Sequence, residues 1–314
     1  VRALLIVNPR ATSTTRLRRD VIASALASAL RLDVVHTRYR GHAAALAARA
    51  REEGLGLVLT LGGDGTVNEV VNGILGDADG QHAPDPRAVP ALAALPGGSA
   101  NVFTRALGLP RDPVDAAGQI LRALAEHRER TIGLGLADGR FFTFNSGLGF
   151  DAEVVRAVQG LRAHGRPATP ALYVRLALRQ FYRQTDRRHP SIWVEPADGR
   201  PLGPFFLCIV SNTAPWTYLG NREVHANPRA SFDTGLDALA LRRLSSLATF
   251  RVVGQMLATH AEPLRGRHVL SLHDQARITV RSARPAAFQI DGEYVGERET
   301  VAFRSVPGAL RVIA

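Results

Sequence analysis

The segment Leu59-Thr60-Leu61-Gly62-Gly63-Asp64-Gly65-Thr66-Val67-Asn68-Glu69 sets one carboxylate among three glycines, between an apolar strand and a helix. The strand is read over Leu55 to Leu61. The helix shows in Val67, Val70, Val71, Ile74 and Leu75, which repeat with a helical period. Thr66 is placed as its N-cap, with Glu69 three residues on as in a capping box. Glycines let main-chain N–H groups come close to an anion, and the helix dipole favours phosphate there. Asp64 then has the chemistry to hold a divalent metal on phosphate oxygens. The glycine spacing matches neither a Walker A loop nor a dinucleotide fingerprint.

A second glycine segment, Ala94-Leu95-Pro96-Gly97-Gly98-Ser99-Ala100-Asn101-Val102-Phe103-Thr104-Arg105, follows the same logic. A strand ends, glycines turn, and a helix begins with Ser99 or Asn101 available to cap it. Alone, such a turn is equally a structural cap. Two of them at adjacent strand ends suit a polyphosphate gripped from two sides. Asn8-Pro9 and Thr37 close the first two strands and face the same carboxyl-end crevice, or serve as ordinary turn residues.

Farther on, Phe288-Gln289-Ile290-Asp291-Gly292-Glu293-Tyr294-Val295 reads as a hairpin about Asp-Gly. Asp291 or Glu293 has the chemistry to take a proton from an alcohol attacking a γ-phosphate. Asn145-Ser146-Gly147-Leu148-Gly149-Phe150-Asp151 is a strand-to-helix corner, where Asp151 also reads as a plain N-cap. The histidines form no metal-ligand spacing, and Ser146 lacks a nucleophile-elbow context.

These motifs need elements to carry them. Strands are expected at 3–8, 32–37, 55–61 and 89–95, alternating with helices at 15–30, 41–53, 66–75, 101–107 and 113–128. That order predicts a parallel sheet covered by helices. Beyond about 131 the texture changes to short apolar runs at 141–146, 191–195, 204–211, 236–242, 276–281, 286–290 and 293–296. They predict an antiparallel sheet or sandwich, with helices inserted near 169–184 and 245–260. The expected domains are 1–132, completed by 300–314, and 133–299.

The 314 residues suffice for two such domains, and 46% of them are hydrophobic. The formal charge is +11, and all 39 basic residues are arginine. The absence of lysine excludes a lysine Schiff base and a phosphate-binding lysine. A positive surface favours anionic partners: bilayer, nucleotide or nucleic acid. Helix 169–184 carries Arg175, Arg179 and Arg183 at four-residue spacing, with Arg156, Arg162, Arg166, Arg187 and Arg188 flanking it. It reads as a face for an anionic membrane or as a packed helix with a solvated basic side. The single Cys208 excludes an internal disulfide and a zinc cluster. No apolar run reaches the roughly 18 residues of a membrane span, and Val1 to Asn8 reads as a strand rather than a signal peptide. A cytoplasmic, membrane-peripheral setting is the resulting expectation.

Asn8-Pro9, Gly62-Gly63-Asp64-Gly65-Thr66 with Asn68-Glu69, Pro96-Gly97-Gly98-Ser99-Ala100-Asn101, Gly147-Leu148-Gly149-Phe150-Asp151 and Asp291-Gly292-Glu293, in this order, resemble the catalytic domain shared by bacterial diacylglycerol kinases, related lipid kinases and sphingosine kinases. The resemblance spans nearly the whole chain. It implies an α/β nucleotide domain of the NAD kinase and diacylglycerol kinase type, a C-terminal β-sandwich domain, and an active site between them. It implies ATP and Mg2+, with phosphorylation of a lipid hydroxyl, diacylglycerol foremost. By the same likeness Asn8, Pro9, Arg10, Ala11, Thr12, Thr37, Gly63, Asp64, Gly65, Thr66, Val67, Asn68, Glu69, Gly98, Ser99 and Asn101 contact nucleotide. Asp64 holds the metal, and Glu293 with Asp291 accepts the proton. The implied partner is a lipid, with no nucleic acid and with a homodimer as an open assembly. Val102, Gly133 and Thr234 stand where the bacterial family usually has aspartates of a metal and water network. The competing readings are a NAD kinase, which shares a Gly-Gly-Asp-Gly turn, and a non-catalytic nucleotide- or lipid-binding regulator that kept the fold.

Overall fold

The computed structural model describes residues 2–11, 14–76, 83–163, 170–183, 185–197 and 199–314. Thr12 and Arg166, and the ends 169 and 184 of the expected basic helix, lie outside these residues. The chain forms two compact units. One comprises Val1–Leu134, Gly139–Phe141 and Val306–Ala314; the other comprises Gly135–Asp138 and Phe142–Ser305.

The first unit holds β1 (Arg2–Val7), α1 (Arg16–Ala27), β2 (Arg31–His36), α2 (His42–Glu52), β3 (Leu57–Gly62), α3 (Asp64–Leu75), β4 (Ala91–Pro96), α4 (Val102–Ala106) and α5 (Pro113–Ala125). Its strands are parallel, ordered β4-β3-β1-β2, with Val312 of the terminal segment pairing Leu92 on the far side of β4. Strict alternation explains why helices cover both faces. Leu5, Leu59, Ala93 and Leu95 face a core closed by Ile22 and Leu26 of α1 and Ile120 of α5. Ile6, Val58, Thr60 and Ala94, one step away, are buried as well. Strands buried on both sides read as continuous apolar runs, as β3 and β4 do.

The second unit follows β5 (Arg130–Ala137) and β6 (Arg140–Phe142) with β7 (Asn145–Gly149), α6 (Phe150–Ala163), α7 (Pro170–Arg183), β8 (Ile192–Pro196), β9 (Leu202–Phe205), β10 (Leu207–Ser211), β11 (Thr217–Leu219), β12 (Arg222–Val224), β13 (Leu236–Leu241), α8 (Ser246–Met256), β14 (Val269–Gln275), β15 (Arg277–Ile290) and β16 (Glu293–Val312). β7 is central, with β10 and β15 antiparallel on its two sides. β13 and β14 extend the β10 side, while β16 runs along one edge of β15 and β7 and β8 pair different stretches of its other edge. Alternate residues serve two cores. Cys208, Val210, Ala238 and Ala240 join one with Phe288 and Phe303. Leu207, Ile209, Leu239 and Leu241 join another with Phe181 of α7 and Val252 and Met256 of α8. Burial in β10 pushes the Cys208 thiol up to about 12, so it is a packing residue and not a nucleophile.

The start of α3 departs from the capping-box expectation. The helix begins at Asp64, and its N-cap is Gly63, with extended backbone and no side-chain cap. Thr66 and Val67 both donate their N–H to Gly63 O, so the turn winds up three residues early. An acidic residue in the first turn suits the helix dipole. Among the described residues no helix is long and apolar enough to cross a membrane.

Candidate functional site

In the first unit the two glycine turns lie backbone against backbone. β3 and β4 run in parallel register to their ends, Gly62 beside Pro96, and Gly97 N–H donates to Gly62 O at 2.8 Å. A Cβ on Gly97 would stand 2.8 Å from both N and Cα of Gly62, and one on Gly98 would stand 2.7 Å from Gly63 Cα. Glycine is therefore required where the two main chains touch. Gly65 differs: a Cβ there would meet nothing within 4 Å. This glycine opens the start of α3 instead of packing it.

The turns are also tied by side chains. Asp64 Oδ1 accepts from Phe103 N–H at 3.1 Å, in the first turn of α4. Asn101, in the left-handed region at φ 52°, folds back: its Oδ1 accepts from Gly98 N–H and its Nδ2 donates to Gly98 O. Asn8 Nδ2 donates to Thr66 Oγ1 at 3.1 Å, and its Oδ1 accepts from Arg10 N–H. Ala11 N–H donates to Asn8 O, so Asn8, Pro9, Arg10 and Ala11 form a turn at the end of β1, beside α3. The result is one cluster of Asn8, Gly62 to Thr66 and Gly97 to Asn101 at the carboxyl ends of adjacent parallel strands.

Other residues expected at the nucleotide are engaged elsewhere. Glu69 accepts from Gly41 N–H (2.9 Å) and Ala43 N–H (3.2 Å), which fixes the start of α2 just beyond Thr37. Thr37 N–H donates to Val7 O. Asn68 is buried; its Nδ2 donates to Phe141 O, and its Oδ1 accepts from the Arg140 guanidinium. Val67 is buried in the core. Ser99, between the linked Gly98 and Asn101, is exposed.

In the second unit, Asp291 and Gly292 both have positive φ, 46° and 72°, and Ile290 pairs Glu293 across them. That is the two-residue type I′ hairpin the Asp-Gly pair predicts. Asp291 is 6% exposed, and its carboxylate accepts from Thr143 N–H and Oγ1–H, Phe144 N–H and Asn145 N–H, at 2.7 to 3.2 Å. Gln289 sits beneath the turn. Its Nε2 donates to Asn145 Oδ1 and Asp151 Oδ2, and its Oε1 accepts from Gly292 N–H. Glu293 is half-buried at the far side of the turn, and Tyr294 N–H donates to Gln159 Oε1. Burial pushes Asp151 up to about 6, against the lowering effect of the Gln289 hydrogen bond. Asp151 is thus a buried member of this network, not a solvated cap. Sequence reading missed Gln289, Thr143 and the Gly62–Gly97 contact, because each acts through a partner far along the chain.

Val102 is buried at the first position of α4, Gly133 lies in the buried part of β5, and Thr234 Oγ1 donates to Ser231 O. Nearby Asp237 is buried against His273 Nδ1 and accepts from Asp274 N–H. Among the described residues no three His, Cys, Asp or Glu side chains form a metal cage. Magnesium on a nucleotide does not need one: it takes one or two carboxylates and completes its shell with phosphate oxygens and water. Asp64 fits that lesser requirement.

Residues 2–135 match the model of the diacylglycerol kinase catalytic domain. A diacylglycerol kinase of Bacillus subtilis is 30% identical over 251 residues, covering 76% of this chain and 72% of its own length. A protein of Chromohalobacter salexigens described as "Probable lipid kinase YegS-like" is 36% identical over 211 residues, 66% of this chain and 60% of the relative. In fold, a crystal structure of a Bacillus anthracis diacylglycerol kinase superposes with a TM-score of 0.72 at 20% identity, over 99% of this chain and 96% of that one. An ATP-bound NAD kinase of Archaeoglobus fulgidus gives 0.52 at 11% identity, over 100% and 94%. With its paired glycine turns and its matching sequence, the chain belongs to the diacylglycerol kinase and YegS-like family of lipid kinases.

Proposed function

We propose that this protein transfers the γ-phosphate of ATP to the hydroxyl of a lipid, with diacylglycerol as acceptor and phosphatidic acid as product. The observation that carries the reading is the pair of glycine turns packed main chain on main chain at the ends of β3 and β4. Backbone groups at a helix N-terminus bind phosphate without needing a lysine, and this chain has none. Gly63, Gly65 and Ser99 take the phosphates, while Asn8 and Asn101 hold the loops in shape, the Gly98 N–H being given to Asn101 Oδ1. Asp64 holds Mg2+, which neutralises charge on the phosphates. Glu69 and Asn68 act at one remove, through α2 and the Arg140–Phe141 strand.

Glu293 takes the proton of the lipid hydroxyl as that oxygen attacks the γ-phosphorus. Asp291 is unsuited to that role, because its carboxylate already accepts four hydrogen bonds from 143–145. It positions the turn that carries Glu293. The bond to the bridging β,γ oxygen breaks and ADP leaves.

The test is transfer from labelled ATP to diacylglycerol, sphingosine, prenols, phosphatidylglycerol and NAD in parallel. Labelled phosphatidic acid is the expected product. Labelled NADP in place of lipid would establish the NAD kinase alternative. Nucleotide binding with no transfer to any acceptor would establish the regulatory one. Asp64→Asn keeps an acceptor for Phe103 N–H, so it is expected to fold normally and lose turnover. Native turnover in that variant would remove the metal role.

A further inference from the structure

The four parallel strands of the first unit end level. His36 of β2 lies beside Val7 of β1, Val7 beside Leu61 of β3, and Leu61 beside Leu95 of β4. One residue past that row come Thr37, Asn8, Gly62 and Pro96. The glycine turns leave from β3 and β4, and the Asn8 turn leaves from β1. The segment Thr37 to His42, after β2, completes the row.

That segment carries a stacked pair of rings. Tyr39 is 65% exposed, more than any other described Phe, Tyr or Trp. Its ring stacks on His42, with centroids 4.7 Å apart and planes 21° from parallel. His42 N–H donates to Tyr39 O, so the two residues are the ends of a tight turn through Arg40 and Gly41, the latter at φ 84°. His42 Nδ1 accepts from Arg38 N–H at 3.1 Å, which fixes the imidazole and leaves its proton on Nε2. Glu69 grips Gly41 and Ala43 N–H from α3, the helix that starts at Asp64. One helix thus ties the ring pair to the turn of Gly62 to Thr66. His42 covers one face of Tyr39 and leaves the other to solvent. A ring held rigid with one face in water is a stacking surface ready for a partner.

Strand spacing sets where that partner lies. Neighbouring strands are about 4.8 Å apart, so β2 ends about 10 Å from β3, across β1. A ribose and an α-phosphate put about this much between a base and a β-phosphate. Ligands of parallel sheets lie across the carboxyl ends of the strands, as this row does.

We propose that Tyr39, backed by His42, is the platform on which the purine base of the donor nucleotide stacks. Phosphates held at the glycine turns leave the base over the end of β2. Stacking grips the π-face of a base and not its edge. A purine offers two fused rings and a pyrimidine one, so the platform selects purine over pyrimidine and gives little choice between adenine and guanine. The inference deepens the kinase reading and rests on it for the place of the phosphates.

The test is calorimetric titration with ADP, CDP and inorganic tripolyphosphate, each with Mg2+. The wild type is expected to bind ADP more tightly than CDP. Tyr39→Ala is expected to weaken ADP about tenfold, the scale of one base on one aromatic ring, and to leave tripolyphosphate unchanged. Tyr39→Phe keeps the ring and is expected to restore ADP affinity. Tyr39 is exposed and the turn is held by main chain and Glu69, so the wild-type melting temperature is expected in both variants. Unchanged ADP affinity in Tyr39→Ala, an equal loss of ADP and tripolyphosphate, or CDP bound as tightly as ADP overturns the platform and leaves the phosphate turns standing. A wild type that binds neither ADP nor tripolyphosphate overturns both. Selective loss of ADP in Tyr39→Ala, beside no transfer to any lipid, would break the kinase reading and leave the platform.

Discussion

The glycine turns of the first unit and the Asp-Gly turn of the second reach their shapes by opposite means. The first pair is shaped by what is missing. Gly62, Gly63, Gly97 and Gly98 have no side chains, so two main chains come into contact and hydrogen-bond directly. The second is shaped by what is added. Asp291 collects four donors from 143–145, and Gln289 ties the turn to Asn145 and Asp151. Main-chain amides suit an anion that any nucleotide brings. A side-chain network suits one acid that must be held at one place. Substitutions should therefore fail differently in the two regions, by steric collision in the first and by orphaned polar groups in the second.

The sharpest break concerns chemistry alone. Glu293→Gln keeps size and hydrogen-bonding capacity but removes the base, and a drop in kcat of about 100-fold or more is expected, with ATP binding unchanged. Rapid-quench turnover beside a nucleotide titration checks it, and near-native kcat would remove Glu293 as the base. Next, Gly97→Ala forces a Cβ to 2.8 Å from the Gly62 main chain, which cannot swing aside. Overpacking of this kind costs about 1–3 kcal/mol, and the parted turns are expected to lose ATP affinity together with stability. Urea unfolding and a binding isotherm report both, and an unaltered variant would show the turns do not touch. Asp291→Asn turns an amide donor toward other donors, at a cost of about 1–2 kcal/mol. In that variant kcat is expected to fall while nucleotide affinity stays, because only the turn under Glu293 loosens.

The smallest effect is a pH signature. The folded chain holds the Asp151 proton up to about 6, against 3.8 for an ordinary aspartate. Between those values the native state binds more protons than the unfolded one, so this group lowers stability as pH rises through the window. Above about 6 the whole penalty of the buried charge is present. The slope is at most about 1.4 kcal/mol per pH unit. Asp151→Asn should remove that slope, read as a flatter melting temperature across the window. An identical profile in the variant would place the carboxylate in a more solvated site.

The same contrast governs what the sequence discloses. The glycine segments, the parallel α/β pattern and the Asp-Gly hairpin are local, so composition and spacing expose them. The start of α3 lies earlier than its sequence suggests, because Thr66 is a good cap residue while Gly63 supplies the cap by backbone conformation alone. Glu69 fits a capping box by spacing, yet its carboxylate serves Gly41 and Ala43, 28 and 26 residues earlier. Asp64 reads as a metal ligand, but nothing local shows that it also caps α4 through Phe103. Gln289 and Thr143 were invisible for the same reason: their partners lie over a hundred residues away. Local geometry is written in neighbouring residues; a network drawn from distant strands is not.

Calorimetric titration of the wild-type protein with ATP in the presence of Mg2+ reaches the central claim most directly. Saturable heat with a dissociation constant below about 1 mM is predicted, as main-chain amides at the two turns close on the phosphates. A flat titration through millimolar ATP would contradict it.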